Sequence, residues 1–314
     1  MKFKWLAPVL VALGAFLIVA AVVAQVWAPD KVKRTPIDVN TTTYLEGQAD
    51  KLNPETGKLE NSAIYAIDVN KSDSNKSDGD VAVFVQTTCV VVDEGQDRVC
   101  VDDKDPRLIT AEIDTFATDR HTAESVPNDG YLPDDAVQHE GLVNKWPFDA
   151  QKQTYQYWEG TLGKAVDAVY ERTDEVKGIE AYVYKITTKD AKTDVLEGVP
   201  GVYDDVKEIY VDPNTGSILN QVEDQQRYLE DGTKILDLQL EFTDGTQQAK
   251  VDEVDEKWGM IQLVVKTVPL VGYLVGIPVF LIGVALLLLQ RRNRGGGHSA
   301  SASEPRTPAG TATR

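Results

Sequence analysis

Thr267–Leu289 reads TVPLVGYLVGIPVFLIGVALLLL and is followed at once by Arg291, Arg292 and Arg294. None of these 23 positions carries a charge. At about 1.5 Å rise per helical residue they span the ~30 Å hydrocarbon core of a bilayer. A buried core helix is rarely apolar on every face for such a length, so the stretch predicts a transmembrane helix over 267–289. The arginine cluster is a stop-transfer signal, because short basic flanks stay cytoplasmic. Everything upstream is then read as material presented on one side of a membrane.

A second apolar run opens the chain. Lys2 and Lys4 precede an uncharged stretch from Trp5 to Ala28. A cleavable signal peptide is one reading, with small residues at Val22-Val23-Ala24 for the peptidase. The run is longer than a signal h-region, and Trp5 and Trp27 bracket it like interfacial anchors, which favours an uncleaved span over 5–28. With lysines before the first span and arginines after the second, residues 1–4 and a polar, disordered tail over 290–314 face the cytoplasm. Residues 31–260 form an extracytoplasmic domain. The protein is thus expected in the cell membrane as a two-pass chain.

That middle region holds 48 of the 50 Asp and Glu residues, all but Asp30 and Glu304, against 24 of the 32 Lys and Arg. Such a surface repels phosphate backbones, so nucleic-acid binding is not expected. A solvated surface, adaptation to high salt and loose cation binding all fit the imbalance. The loop Asn70–Asp80 (NKSDSNKSDGD) fails as a calcium hand: the twelfth position counted from Asp73 is Phe84 rather than Glu. No metal site is expected. Cys89 and Cys100 have no second Cys or His pair to complete a zinc centre, and their spacing is read as a structural disulfide. A hairpin of Val81–Val92 with Arg98–Val101, turning at Glu94-Gly95, would set the two cysteines opposite each other.

The rest of the domain reads as short strands with two-residue alternation. Thr41–Leu45 and Ala63–Val69 flank the turn Asn53-Pro-Glu-Thr-Gly57. Val166–Glu171 and Ile179–Thr187 meet at Lys177-Gly178. Glu208–Val211 and Ile218–Gln225 meet across Asp212-Pro-Asn-Thr-Gly216, where Pro fixes φ and Gly supplies a positive φ. Arg107–Phe116 and Ile235–Phe242 are further strands. From Gln247 onward Val251, Val254, Trp258, Ile261 and Val265 recur at helical spacing and predict a helix running into the second span. The fold class is therefore a mainly β, antiparallel domain, with α+β as the variant, between two transmembrane helices.

Trp146, Phe148, Tyr155, Tyr157 and Trp158 form the densest aromatic stretch outside the spans. They are read either as a ligand-binding face for a lipid or sugar or as the core of the domain. No phosphate loop or nucleophile elbow occurs, and His121 and His139 read as ordinary loop residues, so no enzyme activity and no cofactor are expected.

The order of these features resembles a known family: actinobacterial two-anchor envelope proteins of the PorA porin type, long regarded as of unknown function. The matching pieces are the first span, Trp146-Pro-Phe148 followed by Thr154-Tyr-Gln-Tyr-Trp158, Gly178-Ile-Glu-Ala-Tyr182, the Asp212–Gly216 turn and the closing span. The resemblance implies an actinobacterial cell-envelope protein with a β-rich external domain. It further implies links to envelope glycolipid traffic and lipoglycan assembly, with membrane lipids, an envelope glycolipid or envelope-assembly membrane proteins as partners. Three functions follow: binding or trafficking of an envelope lipid or glycolipid (or docking on assembly machinery), a pore-forming permeability role, and an envelope-modifying enzyme.

Overall fold

The computed structural model describes residues 5–295. The expected cytoplasmic residues 1–4 and the tail beyond Gly295 lie outside the described residues. The chain divides into two units, Asp30–Ile261 and the combination of Met1–Pro29 with Gln262–Arg314.

Ten strands build the larger unit: β1 (Asn40–Asn53), β2 (Lys58–Ser72), β3 (Val81–Val92), β4 (Leu108–Asp119), β5 (Tyr155–Glu159), β6 (Lys164–Val176), β7 (Ile179–Leu196), β8 (Val199–Val211), β9 (Ile218–Leu229) and β10 (Lys234–Phe242). They form one antiparallel sheet in the order β4-β3-β2-β1-β10-β9-β8-β7-β6-β5, curved into a half-barrel. Pairing of β1 with β10 joins a four-strand meander to a six-strand one. The turns carry the chemistry expected of them. Asn53 Oδ1 accepts from the backbone N–H of Glu55 and Thr56, and Asp212 Oδ2 does the same for Thr215. Lys177 and Gly178 both have positive φ, 48° and 91°, the twist that lets a two-residue loop close a hairpin.

Registers place alternate residues of neighbouring strands on a common inward face. Leu45, Ala49, Ile64, Ala66, Leu236, Leu238 and Leu240 make an aliphatic wall on β1, β2 and β10. Tyr184, Ile186, Ile209 and Val211 face the same way on β7 and β8 and pack with Leu142, Trp146 and Ala150. These last three belong to the long β4–β5 connection, which also links the two edge strands. Val126 N–H donates to Ala117 O on β4 (3.0 Å), Ser125 N–H to Gly141 O (2.8 Å), and Leu142 N–H to Gln156 O on β5 (2.8 Å). After β10 the helix α3 (Asp244–Gln262) seats Val251 and Val254 on Val176, Ala181 and Leu219.

The smaller unit contains α1 (Leu6–Val26) and α4 (Val268–Gly295), with a π-helical turn, Leu263–Thr267, preceding α4; a short helix, α2 (Ala28–Val32), follows α1 in the chain. Both helical runs are long and apolar enough to cross a membrane, with mean hydropathy 2.8 and 2.5 in their best windows. They pack antiparallel through small residues. A Cβ on Gly272 would lie 2.7 Å from Ala21 Cβ, and one on Gly276 2.9 Å from Leu17 Cβ. Tyr273 also donates a 2.9 Å hydrogen bond to Gln25.

Three sequence readings change. Arg98–Val101 is not a strand: β3 pairs with β4, setting Cys89 opposite Ala111. The disulfide nonetheless forms, with Cα atoms 5.9 Å apart, because Cys100 lies in the β3–β4 loop folded onto the outward face. Tyr65 and Val91 are buried there alongside Val101, and Tyr65 OH donates to Val99 O at 2.7 Å. Tyr155–Glu159, given no strand from the sequence, forms edge strand β5. Finally, α4 continues through Gly295, so the first residues assigned to a disordered tail are helical.

Candidate functional site

The five aromatic residues singled out in the sequence go to three different places. Trp146 is fully buried, its indole stacked between Tyr157 (5.3 Å) and Tyr184 (5.0 Å). The second Pro-containing turn holds it there: Trp146 N–H donates to Gly216 O and Ala150 N–H to Pro213 O, both at 2.8 Å. Trp158, 8% exposed, joins Phe84, Phe116 and Val143 in a separate cluster and lies 4.4 Å from the buried ring of His139. Phe148 is half-buried beneath the ammonium of Lys145, 4.0 Å from its ring centre.

Tyr155 is half-buried, and there it meets two residues the local density of the sequence does not reveal. Register sets Tyr155 opposite Ala168, and two residues along β6 Tyr170 stands opposite Tyr184. Tyr182 lies two residues before Tyr184 on β7 and packs edge-on against Tyr170, with ring centres 5.7 Å apart. Tyr155, Tyr170 and Tyr182 are all half-buried and pack on the Trp146 cluster. Lys152 Nζ lies 4.8 Å from the Tyr182 ring centre and 5.5 Å from that of Tyr170, and it donates to Thr173 at 2.9 Å. The result is a patch of flat aromatic faces with phenolic edges and one cation, mounted on a rigid base. Burial pushes the Tyr157 hydroxyl in that base up to about 12 and raises Tyr184 as well, so both stay neutral donors.

A second polar assembly lies on the same inward face. Lys207 Nζ is 3.0 Å from Glu159, 3.7 Å from Asp205 and 3.8 Å from Glu223. Tyr203 OH donates to Glu159 at 3.2 Å, and Gln225 donates to Glu223 at 3.0 Å. One ammonium among three carboxylates leaves a negative excess in a buried place. Burial accordingly pushes the Asp205 carboxyl up to about 8. On the seam between the sheet edges, His139 bonds Asp114 on β4 at 2.8 Å. The expectation that His139 is an ordinary loop residue misses this place as a wedge between Phe116 and Trp158. Among the described residues no group of His, Cys, Asp and Glu is arranged to hold a metal ion.

Fold and site together define a β-rich protein with two apolar helices suited to membrane association, one on each side of the β unit in the chain. The family model described as Porin PorA matches residues 6–285, and the chain belongs to this family. No curated protein matches it.

Proposed function

We propose that this PorA-family chain is a cell-envelope protein, anchored by α1 and α4 with both ends cytoplasmic, whose extracytoplasmic β domain binds an envelope glycolipid without catalysing a reaction. The orientation rests on the lysines ahead of α1 and the arginines after α4. The half-buried tyrosine patch on a buried Trp146–Tyr184 base carries the binding reading. Rings of this kind stack on the apolar face of a sugar while their hydroxyls and Lys152 meet its polar edge. Membrane anchorage at both ends of the domain would hold it at the surface that carries such lipids. Native mass spectrometry of full-length protein extracted from its own membranes tests it. A retained glycolipid that Tyr170→Ala and Tyr182→Ala release supports the reading, and a lipid-free wild type contradicts it.

A pore-forming role is the second reading, favoured by the family match. The outward face of β6–β8 carries Arg172, Lys185 and Glu208, tied in ion pairs, and is not a lipid-facing band. A conduit would therefore be assembled from α1 and α4 of several copies. Single-channel conductance of the purified protein in planar bilayers checks that reading.

A further inference from the structure

Both ring nitrogens of His139 meet oxygens. Nδ1 lies 3.0 Å from the Val137 carbonyl oxygen, and Nε2 lies 2.8 Å from Asp114 Oδ2 on β4. A carbonyl oxygen only accepts, and so does an ionised carboxylate. A neutral imidazole has one N–H and cannot serve both. The closed contact therefore holds one proton more than a neutral histidine beside a carboxylate. Burial makes that count matter, because a bare nitrogen facing a carboxylate has no water to turn to. His139 is 3% exposed, and its ring is wedged between Phe116 and Trp158, 5.5 and 4.4 Å from their ring centres. Aromatic faces on two sides favour the extra proton on the ring itself, as an imidazolium.

The contact sits where the β4–β5 connection has little else to hold it. Among the described residues, no backbone N–H from Val137 to Gly141 donates to another backbone group. Before His139 the segment is tied to its own loop: Gln138 Nε2 donates to Val126 O at 3.1 Å and Asn128 Nδ2 to Ala136 O at 3.0 Å. After it, Leu142 is tied to β5. Between those ties His139 supplies the bond to β4. The charges around it favour a proton. Asp114 and Glu112 lie on one face of β4, and burial with Asp114 and Glu159 pushes the Glu112 carboxyl up. Glu159 is held by Lys207, and Arg227, the other cation acting on Glu112, donates to Gln225 at 2.8 Å.

We infer that the His139–Asp114 contact is a proton-dependent latch. Protonated, it holds Val137–Gly141 across the seam between β4 and β5; deprotonated, it releases that segment and uncovers the Trp158 ring beneath His139. The closed latch binds one proton more than the open one, in which a water-exposed imidazole is neutral above about pH 6.5. Opening therefore becomes easier as pH rises, by up to about tenfold per pH unit for one proton. None of the tyrosine-patch residues takes part, so the latch stands whether or not that patch binds a glycolipid.

Ring protons and amide exchange read the latch separately. The chain has three histidines, so full-length protein labelled with 15N-histidine in dodecyl maltoside gives a simple ring spectrum, and His139→Gln assigns the signal. At pH 6 both His139 ring nitrogens should carry slowly exchanging protons. Deuterium uptake in peptides covering residues 133–142, corrected for the intrinsic pH dependence of amide exchange, is then compared from pH 6 to pH 9. Opening of this segment should climb with pH in the wild type while β7 and β8 stay protected. It should be flat in Asp114→Asn, whose amide can donate to a neutral ring and needs no extra proton. Opening that ignores pH, or the same slope in Asp114→Asn, overturns the proposal. So does a His139 ring with one bare nitrogen while the segment is protected, or opening that spreads to β7 and β8. Should Asp114→Asn fail to fold, the wild-type ring spectrum and exchange profile decide.

Discussion

Asp205 lies 3.7 Å from Lys207, and among the described residues neither of its carboxylate oxygens has a hydrogen-bond partner. It is only 1% exposed, and Thr188, directly opposite on β7, also has an unpartnered hydroxyl. The pair marks the place where the half-barrel leaves buried polar groups of facing strands without hydrogen-bond partners. Its protonation state is therefore a property of the fold.

The pH dependence follows from that carboxyl. Its folded-state value is pushed up to about 8, from 3.8 in an unfolded chain, chiefly by burial. Between those values the folded state holds the proton and the unfolded state does not, so Asp205 makes stability fall as pH rises from about 4 to about 8. Asp205→Asn keeps the shape without the charge. Thermal melts of full-length protein at pH 5, 7 and 8.5 should show a shallower decline in the variant, with its largest gain at pH 8.5. A decline as steep as that of the wild type would remove Asp205 as its cause.

The disulfide holds a loop rather than a hairpin. Cys89 and Cys100, 11 residues apart, pin the β3–β4 loop over Tyr65 and Val91. Cys89→Ser should cost about 3 kcal/mol or less, the loop-closure value for so short a ring. Hydrogen exchange should then rise in residues 93–107 and in Tyr65–Ile67, while β6 to β9 stay protected. Uniform deprotection of the sheet would contradict this local role.

Trp146 and the tyrosines divide support from surface. Trp146→Ala removes a fully buried ring between two others and should cost about 3–5 kcal/mol. Tyr170→Ala and Tyr182→Ala start from half-buried positions, and each should lower the melting midpoint far less. Chemical denaturation of the three variants gives the comparison, and equal losses would make the patch part of the core.

The paired helices depend on close approach at Gly272 and Gly276. Gly276→Leu places a side chain where Leu17 already sits, 2.9 Å from the first added carbon. Cysteines introduced at Gln25 and Tyr273, which bond each other across the helix pair, should cross-link in full-length protein in its membrane, whereas Gly276→Leu or Gly272→Leu should greatly lower that cross-link. An undiminished yield would mean the helices do not pack through these glycines.

Much of the architecture was legible because strand alternation and turn chemistry are local. The Asn53–Gly57, Lys177-Gly178 and Asp212–Gly216 turns lie where their residue types place them, and the apolar spans are set by length alone. The Arg98–Val101 hairpin failed because two cysteines 11 residues apart are equally well served by a loop folded onto the sheet. Trp146 and Trp158 read as one cluster with Tyr155, yet they pack in separate cores. Tyr170 and Tyr182 stayed invisible as partners of Tyr155, since only strand register brings them together. Lys207 and its three carboxylates come from β5, β8 and β9, and acidic residues are too frequent in this chain for their spacing to stand out.

Binding of a glycolipid headgroup on Tyr155, Tyr170 and Tyr182 is tested by photo-crosslinking of full-length protein, in its native membrane lipid extract, with a sugar-headed amphiphile bearing a diazirine beside the sugar. Labelled peptides are mapped by mass spectrometry with and without excess unlabelled glycolipid. Competed labelling within Tyr155–Glu159, Lys164–Val176 and Ile179–Thr187, lost in Tyr170→Ala, is the expected result. Labelling confined to α1 and α4, or labelling of the strands that excess glycolipid does not displace, would contradict it.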